Sequence, residues 1–170
     1  MGRSADEASL ERLVSRHLSE TLRFATRLTG DLEAAEEVVQ EALARVVRSW
    51  RSFRGEAQFR TWLWRIVINA FRDQLADRAR SGDLPDDLPD DRAVDPAATA
   101  LADELGRLVA ARVSALPPRQ REVLVLTAYE GFTPREVAEV LGISEANVYA
   151  TLHVARQRLR KELAGNLMEK

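Results

Sequence analysis

The chain has 170 residues, enough for one ordinary domain or two small ones. Apolar residues make up 45% and charged residues 31%, a soluble globular balance, and the absence of cysteine excludes disulfides, thiolate nucleophiles and Cys-ligated zinc. The net charge of −2 hides a split: residues 1–80 carry 14 basic and 12 acidic side chains, 81–104 carry 1 and 8, and 105–170 carry 10 and 7.

Two mildly basic blocks therefore flank an acidic connector, so local patches say more about partners than the overall charge does. No apolar run reaches the roughly 18 residues of a membrane span, and "MGRSADEASLERL" lacks the apolar stretch of a signal peptide. The expected location is the cytoplasm, with no membrane insertion.

The first block reads as helices. Leu10, Leu13, Val14, Leu18, Leu22, Ala25 and Leu28 recur at helical spacing, and Gly30 followed by Asp31 gives a stop and then an N-cap. Leu32, Ala35, Val38, Val39, Ala42, Leu43, Val46, Val47 and Trp50 form the next stripe. Within it, Glu37, Gln40 and Glu41 share one face at i, i+3 and i+4. That face is either solvated acidic surface or a dock for a basic partner.

Residues 53–57 read as a loop around Gly55, and a third helix is predicted over 58–80. Six of the chain's ten aromatic residues lie between Trp50 and Phe71, and five arginines lie between Arg48 and Arg65 against one acid, Glu56. Phe59, Trp62, Leu63, Ile66 and Ala70 follow one core stripe. Trp64, Val67, Ile68 and Phe71 fall largely outside it. Such a helix is buried on more than one side or leaves an aromatic surface open. Aromatics interleaved with arginines suit unpaired nucleic acid, where bases stack on rings and arginines hold phosphate. A thick core with snorkelling arginines fits the same pattern, and the residues alone leave both readings open.

The connector "SGDLPDDLPDDRAVDP", 81–96, holds six aspartates and three prolines and reads as a flexible linker.

In the second block, Leu101, Leu105, Leu108, Val109 and Val113 make one stripe. "LPPRQREVLVLTAYEG" sets prolines at a helix start and Gly131 just past its end. "TPREVAEVLG" opens with Thr133 as N-cap, Pro134 at the first helical position and Glu136 three residues on, the pattern of a capping box. Gly142 stops that helix, and Ser144 caps a long one carrying Val148, Leu152, Ala155, Leu159 and Leu163. The pair reads as a helix-turn-helix packed through Val137, Leu141, Ile143, Val148 and Leu152. Its second helix offers Glu145, Asn147, Tyr149, Ala150, His153 and Arg156 to a major groove, with Arg156, Arg158, Arg160 and Lys161 for phosphates. The expected fold is all-α, with two small helical domains over 1–80 and 97–170 and a helix-turn-helix in the second.

Catalysis finds no support. His17 and His153 sit in separate blocks, no Gly-rich phosphate loop is present, and acidic pairs such as Asp86 and Asp87 lie in the linker, away from any rigid scaffold. No cofactor or metal is expected. The helix-turn-helix alone would suit an autonomous duplex-binding regulator, and the aromatic helix alone would suit a protein-interaction module.

The order and spacing of "DLEAAEEVVQEALARVVRSW", "SFRGEAQFRTWLWRIVINAFRD" and "LPPRQREVLVLTAYEGFTPREVAEVLGISEANVYATLHVARQRLRKEL" resemble the extracytoplasmic-function sigma factors, two-domain initiation factors of bacterial RNA polymerase. The resemblance covers nearly the whole chain. It implies that Glu37, Gln40 and Glu41 dock on the β′ clamp helices of core polymerase, although an aspartate is common where Glu37 stands. It implies that the segment around Phe53, Arg54, Gly55, Trp62, Arg65, Asn69 and Arg72 melts the −10 element and holds a flipped, unpaired base. It implies that Thr133, Ser144, Glu145, Asn147, Tyr149, Ala150, His153, Arg156 and Arg158 belong to a −35 duplex reader. Further implied partners are the β flap of the polymerase and an anti-sigma factor.

The sequence departs from the family in its last helix. Tyr149, Ala150 and Thr151 follow the buried valine where a basic, a small hydroxyl and another basic residue are usual, and Val154 stands where a basic residue is frequent. A bidentate arginine contact to guanine discriminates by about 1–3 kcal/mol, so either Asn147, Tyr149 and His153 read a different element, which is the favoured reading, or this domain contributes less sequence readout than usual. The six aspartates of the linker either mimic an RNA backbone or merely solubilise it.

Overall fold

The computed structural model describes residues 2–53, 55, 58–82 and 100–168. Arg54 and the linker from residue 83 to 96 therefore lie outside the described residues. The described residues form seven α-helices in chain order: α1 (Gly2–Thr29), α2 (Leu32–Ser49), α3 (Phe59–Ser81), α4 (Ala100–Ser114), α5 (Pro118–Leu124), α6 (Pro134–Leu141) and α7 (Glu145–Met168). Among the described residues there is no strand.

Local chemistry sets the first boundaries. The Gly30 amide donates to the Thr26 carbonyl at 2.8 Å, and its φ of 78° closes α1 in a conformation that other residues resist. The Asp31 carboxylate then accepts from the Ala34 amide at 2.7 Å, capping α2. α2 buries Ala34, Ala35, Val38, Val39, Ala42 and Val46 and leaves Leu32 and Val47 outside. In α1, Ala25 and Leu28 are buried as the stripe predicts. So are Thr21 and Phe24, which the stripe omits, whereas Leu18 is exposed. Phe24 stacks on Trp64 with ring centroids 5.1 Å apart.

The core stripe expected on α3 needs correction. Trp64, Val67, Ile68 and Phe71 are fully buried, while Trp62 and Ile66 are only half-buried. The reason is tertiary. α3 packs on α1 and α2 and also meets the C-terminal helices, α6 in particular, so it is buried on more than one side. One apolar cluster runs from α1–α3 into α5–α7, without a break between the two helical groups.

The helix predicted from "LPPRQREVLVLTAYEG" is interrupted. After Leu124 the chain widens into a π turn, Val125–Tyr129, in which the Glu130 amide donates to the Val125 carbonyl at 3.1 Å. The Thr127 hydroxyl donates to the Val123 carbonyl at 2.7 Å inside the same turn. Such bulges are rare within α-helices and re-aim the residues that follow. The residue re-aimed here is Glu130, whose carboxylate meets Arg27 of α1 and Arg60 of α3. On α4, Val113 is buried, but Leu108 and Val109 are half-buried and Leu105 is exposed, a weaker stripe than the spacing suggests.

Candidate nucleic-acid and polymerase interfaces

Glu37, Gln40 and Glu41 are all exposed on α2. Their neighbours hold the carboxylates in place. Gln74 Nε2 donates to Glu37 at 2.8 Å, and Arg45 Nε donates to Glu41 at 2.7 Å. Arg45 also reaches Asp73 at 2.8 Å, which ties α2 to α3 beneath the acidic face. The hydrogen bond from Arg45, with further attraction from Arg48, lowers the Glu41 pKa, so this carboxylate stays charged. The result is an exposed acidic face on α2 whose carboxylates are tied to neighbouring side chains.

The aromatic residues near the start of α3 form a cluster. Phe53 lies 5.6 Å from Trp50, 5.9 Å from Phe59 and 4.8 Å from Trp62, measured between ring centroids. Phe53 and Trp62 are half-buried in it. Gly55 is exposed with φ of 71°, and no atom lies within 4 Å of where its Cβ would stand, so backbone conformation and not crowding favours glycine there. Asn69 is exposed and Arg65 is exposed beside it in helical register. Arg72 is half-buried, held by two parallel hydrogen bonds to Glu122.

The helix-turn-helix is built as the residues predict. The Thr133 hydroxyl accepts from the Glu136 amide at 3.3 Å, and the Glu136 carboxylate accepts from the Thr133 amide at 2.7 Å. The bond from the Thr133 backbone, with that from its hydroxyl, lowers the Glu136 pKa. Gly142 turns the chain at φ 66°, and the Ser144 hydroxyl accepts from the Asn147 amide at 3.2 Å. Val148, Leu152 and Ala155 bury one side of α7. That leaves Glu145, Asn147, Tyr149, Ala150, His153, Arg156 and Arg158 exposed, with Arg158 bound to Glu162 at 3.1 Å.

Sequence reasoning missed the acidic residues that face α3. Glu122 and Glu130 are 1% and 7% exposed. The available signal was their position: two carboxylates at either end of the apolar run "VLVLTAY" have no water-facing stripe to occupy.

Residues 13–81 match the model of Sigma-70 region 2, and residues 106–159 match that of Sigma-70 region 4. The RNA polymerase sigma-E factor of Streptomyces coelicolor is 33% identical over 84% of this chain and 78% of its own length. The chain belongs to the extracytoplasmic-function (ECF) sigma factors of RNA polymerase. The ECF RNA polymerase sigma factor SigE of Mycolicibacterium smegmatis is 34% identical over 99% of this chain, which spans 66% of that relative's length. A sigma factor RpoE from Bartonella quintana, solved with the anti-sigma factor NepR, shares the fold with a TM-score of 0.76, at 23% identity, covering 92% of this chain and 97% of that one.

Two matched regions also correct one reading. An autonomous duplex-binding regulator would account for region 4 and leave the 13–81 match to region 2 without a purpose. As a sigma factor the chain directs polymerase to promoters, with core RNA polymerase and promoter DNA as its partners. No helix among the described residues is long and apolar enough to cross a membrane.

Proposed function

We propose that this ECF sigma factor divides promoter recognition between residues 1–80 and 97–170, joined by the acidic segment 81–96. Glu37, Gln40 and Glu41 dock on the β′ clamp helices, and the C-terminal helices meet the β flap. Phe53, Arg54, Gly55, Trp62, Arg65, Asn69 and Arg72 hold the unpaired −10 strand: the exposed amide of Asn69 reads a flipped base, and arginines hold phosphate. Thr133, Ser144, Glu145, Asn147, Tyr149, Ala150, His153, Arg156 and Arg158 serve the −35 duplex, with Asn147, Tyr149 and His153 reading bases in place of the usual arginines. The protein works at the nucleoid and is held in check by an anti-sigma factor, as its Bartonella fold relative was solved with one.

The observation that carries this reading is that the acidic face of α2 and the outer face of a doubly capped α6–α7 pair are both open on one chain. Run-off transcription with core polymerase on a library of candidate promoters tests it. The expected result is transcription from a subset sharing two spaced elements, abolished by Glu41→Arg. A chain that neither captures core polymerase nor directs transcription from any template overturns it.

A further inference from the structure

The outer side of α7 carries no arginine, lysine or acid where base edges would meet it. Val148, Leu152 and Ala155 are buried and define the inner side. At roughly 100° of turn per residue, the opposite side is formed by Ala146, Ala150, His153 and Gln157. Asn147 and Val154 run along one edge of it and Tyr149 along the other. All of these are exposed, Tyr149 at 58% and Val154 at 47%. Arg156 and Arg158 stand beyond the two edges, and Arg160 and Lys161 follow only on the next turn. Glu145 opens the helix and is nearer in register to Val148 than to Ala150.

In a major groove, guanine is read by the paired donors of arginine or lysine, and cytosine by a carboxylate. Adenine is read by a paired primary amide, and thymine by apolar contact with its methyl group. The outer side of α7 holds the second set of groups and lacks the first. We propose that α7 selects adenine–thymine pairs in the −35 duplex and makes no guanine-specific contact. The methyl groups of Ala150 and Val154, four residues apart and so on one ridge, pack with the Tyr149 ring against thymine methyls. The amides of Asn147 and Gln157 donate to adenine N7 and accept from its N6 amino group. This rests on the assignment of α7 to the −35 duplex, which the match of residues 106–159 to Sigma-70 region 4 supports. His153 can donate to N7, which adenine and guanine share, so it meets a purine without choosing between them. Arg156, Arg160 and Lys161 hold phosphates, which adds affinity but no sequence preference. Arg158 has a carboxylate of its own, Glu162 at 3.1 Å.

A promoter that the full chain transcribes with core polymerase is randomised across the upstream of its two elements, and the templates bound by this holoenzyme are recovered and sequenced. Enrichment of A·T pairs at adjoining positions is expected, with a G·C pair dominant at none. A dominant G·C pair, or no enrichment, overturns the inference. Each thymine of the selected element is then replaced by uracil, which keeps the pairing and lacks only the methyl group. That separates methyl contact from a preference for the shape of A·T duplex. At least one replacement is expected to weaken holoenzyme binding by about threefold, the order set by one buried methyl group. Unchanged binding at every position overturns the inference, even where A·T pairs are enriched. Val154→Arg supplies the opposite change at an exposed site. With helicity unchanged, it is expected to favour guanine by about tenfold at one position of the randomised element, and an unaltered selection overturns the inference. If the holoenzyme transcribes no template at all, the assignment of α7 to promoter duplex falls as well.

Discussion

Thr133 and Asn69 represent two kinds of residue, one whose role is local and one whose role is external. Thr133 completes a reciprocal cap with Glu136, so Thr133→Ala removes one acceptor for an α6 amide and the hydroxyl's bond to the Glu136 carboxylate, while the main-chain bond from residue 133 to that carboxylate stays. A loss of about 1 kcal/mol is expected in urea denaturation at neutral pH. Glu136 has a lowered folded-state pKa, so its share of stability is present above its ordinary value of 4.5 and disappears as the pH falls through the lowered value. The gap between wild type and Thr133→Ala should therefore narrow on acidification, and a gap that widens contradicts the cap. Asn69 is exposed on the packed helix α3. Asn69→Ala should leave urea stability within about 0.5 kcal/mol. It should weaken binding to a single-stranded −10 oligonucleotide in complex with polymerase and spare −35 duplex binding. Equal loss on both substrates would contradict the division of the chain.

At the scale of elements, the contrast is between α6–α7 and α3. The start and stop of α6 and the start of α7 were legible because their causes are local: a cap box, a left-handed glycine and a serine cap lie within a dozen residues. The α2 face was legible for the same reason, since Glu37, Gln40 and Glu41 share a helical register. α3 was legible only as an ambiguity. Its apolar residues surround the helix, and which of them are core depends on α1, α2 and α6 together. Trp64, Val67, Ile68 and Phe71 could not be assigned from spacing, because spacing reports one buried face and α3 has more than one. The π turn after Leu124 was illegible because no propensity signal marks a single added residue in an apolar run. Phe71 decides the matter experimentally. If it is buried as deeply as the structure places it, Phe71→Ala should cost about 3–5 kcal/mol; Leu18→Ala on α1, at an exposed position, should cost far less. Comparable losses in thermal and urea unfolding would contradict a doubly packed α3.

At the scale of the whole molecule, the seam between the two helical groups is made of apolar packing punctuated by charge, and Glu130 is its most constrained charge. Burial raises the Glu130 pKa above 4.5, against the attraction of Arg27 and Arg60 and with added repulsion from Glu20, itself 3.2 Å from His17. The sign of the consequence follows. In the window between 4.5 and the raised value, the folded chain holds a proton that the unfolded chain has released, so the contribution of Glu130 is most favourable below the window and diminishes as the pH rises through it. Glu41 and Glu136 act the other way, losing their stabilisation as the pH falls, so raw acid denaturation mixes opposing terms. Glu130→Gln separates them, because glutamine keeps the shape and a hydrogen-bonding oxygen but does not titrate. Wild-type stability minus that of the variant, from urea denaturation at steps between pH 4 and 8 (roughly the range carboxyl and histidine groups share), should fall as the pH rises from about 4.5 and then level off. A flat difference would mean that Glu130 is as well solvated as an exposed glutamate. A rising difference would mean that Arg27 and Arg60 overcompensate its burial.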